Sequence, residues 1–198
     1  MKRIAVWLLA SLALCAAQGQ AQSAVDGGPP SGSRDFQVWA GGGHSALGSV
    51  RNTAAWDAGA RYGWVLTDLR GPGFLRGRFE YALDAVPVFA LSGLGRTVYG
   101  ISFDPYVLRW NFKQRRRLMP YTEISGGFVF TNHDYPPGEN HVNFTPSAGI
   151  GVSVPHVRYR WSAELHYLHV SDAGLTTFNP GLNTLQLRIG FGLYTRPK

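Results

Sequence analysis

Thiol chemistry is almost absent from this 198-residue chain, which holds a single cysteine, Cys15. One thiol excludes a disulfide framework and a cysteine-based metal site. Long apolar runs are also missing. The only candidate, residues 4–17, follows Lys2 and Arg3 and is too short to cross a bilayer as a helix. Gly19, Gln20 and Ala21 after it form the small-residue pattern of a cleavage site, so residues 1–21 read as a signal peptide removed on export. Leu14, rather than a small residue, precedes Cys15, which argues against acylation there. Cleavage removes the sole cysteine, and a mature chain without thiols is expected.

Charge is scarce as well, at 16% of residues. Lys2 and Arg3 leave with the leader, so 17 of the 19 basic residues remain against 12 acidic ones, a formal charge of +5. That excess is too small and too dispersed, in an exported chain, to indicate a nucleic-acid partner. No phosphate loop, dinucleotide fingerprint or H-E-x-x-H pair occurs, and the glycine-rich segments GGGH and SGLGR lack the strand-turn-helix context such motifs need. No cofactor is expected. His133, Asp134, Glu139 and His141 share one polar segment without metal-ligand spacing and read as a solvated loop. The basic run 113–120 reads as a solvated turn.

What the chain does have is alternation. Residues 22–35 are rich in Gly, Pro and Ser and read as a flexible leader; from Phe36 to the end the apolar pattern has period two. Trp56, Ala58, Ala60, Tyr62, Trp64 and Leu66 share one face of a strand, with Asp57, Gly59, Arg61, Gly63 and Val65 on the other. Further strands are expected over 36–40, 75–85, 98–112, 121–131, 144–154, 159–170 and 185–193. In 98–112 the apolar phase slips by one at Pro105, from Tyr99, Ile101 and Phe103 to Tyr106, Leu108 and Trp110, which reads as a β-bulge. Glu164 and His166 fall on a polar face, where packing with Arg76 or Arg78 is expected.

Eight antiparallel strands over residues 36–198 form either a membrane barrel with its apolar face outward or a lipocalin-like barrel with that face inward. The polar faces decide between them. They carry Gly59, Gly63, Gly127, Gly149, Gly151, Gly190 and Gly192 among Arg and Glu residues. Glycine covers no solvent face, whereas small residues fit the crowded lumen of a narrow barrel. The expectation is therefore an all-β, eight-stranded antiparallel transmembrane β-barrel of outer-membrane type. With the N-terminus on the periplasmic side, the external loops fall at 43–52, 87–96, 132–143 and 172–182.

One of those loops begins with chemistry. On the strand 159–170, Tyr159, Trp161, Ala163, Leu165 and Tyr167 share the outward face, and period two continues that face to His169 and Ser171. A base and a nucleophile thus stand side by side on an apolar wall at the outer rim. The segment HVSDAGLTTFNPGLN, residues 169–183, resembles the C-terminal motif of the PagL-type lipid A 3-O-deacylases and their acyloxyacyl-hydrolase relatives, a family of eight-stranded outer-membrane esterases. The resemblance implies Ser171 as nucleophile, His169 as its base, and Asn179 with the Gly174 backbone N–H as oxyanion donors. It implies lipid A of lipopolysaccharide as the substrate, met in the outer leaflet without leaving the membrane. The chain departs from the family's pattern twice. Asn183 stands where the family has the glutamate that orients the histidine, and Asp172 where it has asparagine. An asparagine carbonyl can orient a histidine, as in papain-like sites, so Asn183 takes the third place. The other readings are a catalytically weak or inactive structural or surface-binding barrel, and a soluble periplasmic binding barrel.

Overall fold

The computed structural model describes residues 28–46, 52–93, 95–135, 140–156, 158–176 and 181–195. The expected signal peptide, much of the leader and Asn179 lie outside these residues. Nine strand segments follow in chain order: β1 (Arg34–Ser45), β2 (Ala54–Val65), β3 (Gly77–Gly93), β4 (Arg96–Phe112), β5 (Met119–Thr131), β6 (Val142–Phe144), β7 (Ser147–Pro155), β8 (Tyr159–Val170) and β9 (Leu182–Thr195). Each pairs antiparallel with its neighbours, β9 returns to β1, and β4 joins β5, so the sheet closes. The short β6 and β7 together make one stave, because both pair with β5, and the barrel is eight-stranded.

Alternation places the residues as their polarity demands. Trp56, Tyr62, Ile101, Phe130, Ile150, Leu165 and Leu187 stand exposed on the outer wall. A continuous exposed apolar belt of this kind is a lipid-facing surface. Inside, the middle of the lumen is filled by paired charges. Arg61 binds Asp84 through two contacts of 2.7 Å and also meets Glu123, which in turn accepts Arg109 Nε at 2.7 Å. Arg188 pairs with Asp57, and Arg160 with Asp35. The cavity left among these side chains measures about 10 Å³, enough for at most about one water. Glu164 bonds His166 at 2.8 Å and lies 3.9 Å from Arg109, which replaces the expected Arg76 or Arg78.

Toward the outer end the lumen becomes apolar. Ala55, Phe89, Leu91, Val98, Val129, Leu168, Val170 and Leu182 pack beneath Tyr135, whose hydroxyl bonds Thr53. Leu168 and Val170 belong to β8 and point inward on either side of His169. This plug holds the end of β8 firmly while its other face carries His169 outward.

Three expectations about strands are corrected. Residues 87–93 are strand rather than loop: β3 runs to Gly93 through a register shift between Val86 and Phe89 that absorbs Pro87. Gly41 to Gly43 continue β1 instead of ending it, because a Cβ on Gly43 would lie 1.9 Å from the Leu185 carbonyl; glycine serves close strand approach there. The strand expected over 144–154 is broken at Thr145 and Pro146, where proline supplies no N–H to the ladder. The slip at Pro105 is present as a register shift between Phe103 and Tyr106.

Candidate active site on the outer wall

The break in the sixth stave lies opposite the end of β8. The His169 N–H donates to the Pro146 carbonyl at 3.0 Å, and Ser171 exchanges two backbone hydrogen bonds with Phe144 in β6, at 2.8 and 3.2 Å. Ser171 is therefore pinned one residue beyond β8, although the strand proper has ended. On its other side β8 pairs with β9 in a register that sets His169 directly across from Asn183. Cross-strand partners share a face. The fourteen-residue separation of the two in sequence is the length of the hairpin between them.

Side chains complete what the backbone arranges. His169 Nε2 lies 2.8 Å from Ser171 Oγ, and His169 Nδ1 lies 2.6 Å from Asn183 Oδ1. An amide oxygen only accepts, so Nδ1 carries the ring proton and Nε2 presents its lone pair to the serine hydroxyl. That is the tautomer a general base requires. Asn183 Oδ1 accepts a second bond, from the Tyr167 hydroxyl at 2.7 Å. Gly181, at φ +59°, leaves room for the imidazole, since a Cβ there would stand 3.1 Å from His169 Cε1. The spacing of outward residues identifies Tyr167 only as a wall aromatic, and nothing in the sequence pattern marks its bond to Asn183.

After Ser171 the chain turns sharply. Ala173 and Gly174 have φ of +57° and +81°, and the Leu175 N–H bonds the Asp172 carbonyl at 3.2 Å, the form of a type I′ turn. Asp172 points away from His169. Its carboxylate accepts the Gly174 and Thr176 N–H groups, both at 2.9 Å, and Asn140 Nδ2 at 3.3 Å. These bonds, the Thr176 hydroxyl's foremost, hold its carboxyl below the usual carboxylate range. The Gly174 N–H, expected as an oxyanion donor, is thus occupied by Asp172 in this conformation.

Beside Ser171 the wall is grooved. Phe128, Val142, Phe144 and Leu175 line a depression of about 280 Å³, with Asn140 and His141 at its outer edge. Its tie to the serine is Phe144, which lines it and exchanges backbone hydrogen bonds with Ser171. A hydroxyl paired with a base, next to an apolar trough on the lipid-facing wall, can attack an ester whose acyl chain lies in that trough.

The family model for lipid A 3-O-deacylase (PagL) matches residues 43–192. Among solved structures, the outer membrane enzyme PagL superposes with a TM-score of 0.59 at 19% identity, covering 82% of this chain and 99% of that one. The outer membrane protein OprG from Pseudomonas aeruginosa gives 0.53 at 12% identity, covering 87% of this chain and 100% of that one. The N-terminal β-barrel domain of Pseudomonas aeruginosa OprF gives 0.52 at 14% identity, covering 83% and 98%. Identities this low carry the fold alone, an outer-membrane barrel. No protein with a curated description matches the sequence.

Proposed function

The chain belongs to the lipid A 3-O-deacylase (PagL) family and is an outer-membrane β-barrel, and from that premise we propose that it is a working serine esterase that removes an ester-linked acyl chain from lipid A. The observation that carries this reading is the hydrogen-bonded series Ser171, His169, Asn183 on the lipid-facing wall. Ser171 Oγ attacks the ester carbonyl while His169 Nε2 takes its proton. The Asn183 carbonyl holds the Nδ1 proton in place and faces the imidazolium that forms. Collapse of the tetrahedral intermediate expels the sugar hydroxylate, which recovers the proton from His169. Water then enters from the rim and attacks the acyl carbonyl as His169 Nε2 takes its proton, and the second tetrahedral intermediate expels Ser171 Oγ, which takes that proton back.

The oxyanion falls to the segment after the serine, where Gly174 and Asn179 are assigned to it. For Gly174 this requires its N–H to turn from Asp172 toward the substrate. The acyl chain being cut takes the groove beside Phe144 and Leu175, so the substrate stays in its leaflet.

Replacing Ser171 with alanine tests the assignment. Lipid A from cells producing the wild-type chain loses one acyl group by mass spectrometry, and the Ser171→Ala barrel, still heat-modifiable on a gel, leaves lipid A intact. Deacylation by the alanine variant overturns the nucleophile. The second reading, a barrel of the same fold with little or no turnover, is favoured by the neutral amide of Asn183 at the family's glutamate position. It gives unaltered lipid A on overproduction of the wild type, and deacylation only from Asn183→Glu.

A further inference from the structure

We propose that Tyr167 is a positioning residue that lets an asparagine serve as the third member of the series, by fixing which end of the Asn183 amide faces His169. The inference rests on the esterase reading and adds a residue that reading does not need when the third group is a carboxylate. A carboxylate has two equivalent oxygens. An amide has two ends of nearly the same shape and opposite chemistry, an oxygen that accepts and a nitrogen that donates. With Oδ1 toward the ring, Nδ1 keeps the proton and Nε2 is free to take the one on Ser171. With Nδ2 toward the ring, the amide donates to Nδ1, the proton moves to Nε2, and the serine faces a donor that cannot activate it.

The wall supplies a group that separates these states. Tyr167 precedes His169 by two residues on the same face, and its hydroxyl reaches Asn183 Oδ1 at 2.7 Å, converging with His169 Nδ1 on a single oxygen. Among the described residues, that hydroxyl bonds to Asn183 only. Around it stand Leu165 and Leu185, both exposed to lipid. In the reversed amide the phenol would accept a proton from Nδ2 and its own O–H would be left in hydrocarbon without an acceptor, the costlier of the two ways to leave a polar group short. The productive orientation satisfies both donors at once. The Tyr167 hydroxyl ends on the Asn183 amide, which sits one register step nearer the rim, opposite His169.

Tyr167→Phe keeps the ring and removes the bond. In mixed micelles of detergent and lipid A, the variant's kcat falls about tenfold or more while KM stays within about twofold, the mark of a group that acts on the chemical step. In an Asn183→Asp background the same replacement changes kcat by less than about threefold, because a carboxylate has no wrong end. An unchanged kcat in the asparagine background, or an equal loss in both, overturns the inference. ¹⁵N NMR of labelled histidine, with His169 assigned by difference from His169→Gln, reads the tautomer without turnover. The wild type carries its proton on Nδ1, and Tyr167→Phe gains the Nε2–H form; an identical tautomer in both overturns the inference too. A wild type that holds the Nδ1–H form and shows no deacylation sinks the esterase reading alone.

Discussion

Oδ1 of Asn183 lies 2.6 Å from Nδ1 of His169, and the two residues face each other across β8 and β9 without an intervening group. The geometry of an orienting residue is therefore present while its charge is not. Supplying the charge at the same length should help. In Asn183→Asp the carboxylate stabilises the imidazolium that forms as Ser171 attacks, and kcat is expected to rise by about 10- to 100-fold, within the roughly 10⁴ span between carboxylate and amide in serine proteases. Steady-state deacylation of lipid A in micelles measures it. Asn183→Leu, which keeps bulk and loses both polar ends, is expected to fall below the wild type by about 10³. If leucine matches asparagine, Asn183 contributes nothing to the reaction.

The site's axis was legible in the sequence because polarity reports facing directly. His169 and Ser171 continue the phase of Trp161, Leu165 and Tyr167, and the slip at Pro105 shows in the apolar residues around it. Glycine and proline carried less information. Gly41 to Gly43 look like a turn because glycine has no side chain to show a face, yet Gly43 is needed where the Leu185 carbonyl comes close. Pro87 looks like a loop and Pro146 like mid-strand, and the ladder does the opposite at each, since where a missing N–H can be tolerated depends on the partner strand. The Tyr167 bond was beyond reach for another reason. Period two tells which side chains share a wall but not which hydrogen bonds they make along it.

The lumen makes a prediction of its own. Glu123 is the common partner of Arg61 and Arg109, all three buried, at distances between 2.5 and 2.8 Å. Removing it takes from Arg109 its close carboxylate and from Arg61 one of two, in a buried site. Glu123→Ala is expected to cost about 3–5 kcal/mol, the range for stripping one partner from a buried ion pair. Urea unfolding of the barrel in lipid vesicles, followed by tryptophan emission, gives the value. A double variant, Glu123→Leu with Arg109→Leu, recovers part of the loss because it removes the cation that has lost its close partner, while Arg61 keeps Asp84. A loss below about 1 kcal/mol would mean that water enters the lumen and screens the arginines.

Val142 lies on the floor of the groove and exposes 47% of its surface. Tryptophan there takes up part of the 280 Å³ and shortens the trough. Each methylene kept out of it forfeits about 0.8 kcal/mol, or roughly fourfold in kcat/KM. Val142→Trp is therefore expected to discriminate against long acyl chains while sparing short ones, read by competition between lipid A species of different chain length. Equal slowing on every length would show that the chain lies elsewhere on the wall.

Asp172 ties the turn after Ser171 to its own backbone through the N–H groups of Gly174 and Thr176. The folded carboxyl titrates below the usual carboxylate range, so the unfolded turn binds a proton more readily than the folded one. The ordering it provides is complete above about pH 4 and is lost as pH falls through the lower, folded value. Hydrogen exchange at the Gly174 and Thr176 amides, corrected for intrinsic rate, should then be flat from about pH 7 to about pH 5 and quicken only below about pH 4. Asp172→Asn, which restores the residue of the family's pattern, keeps one acceptor oxygen and loses the other. Its nitrogen cannot receive the Thr176 N–H, so that amide exchanges faster at pH 7 while Gly174 stays protected. Equal protection at both amides in the variant would show that the type I′ turn, with its left-handed Ala173 and Gly174, holds without the carboxylate.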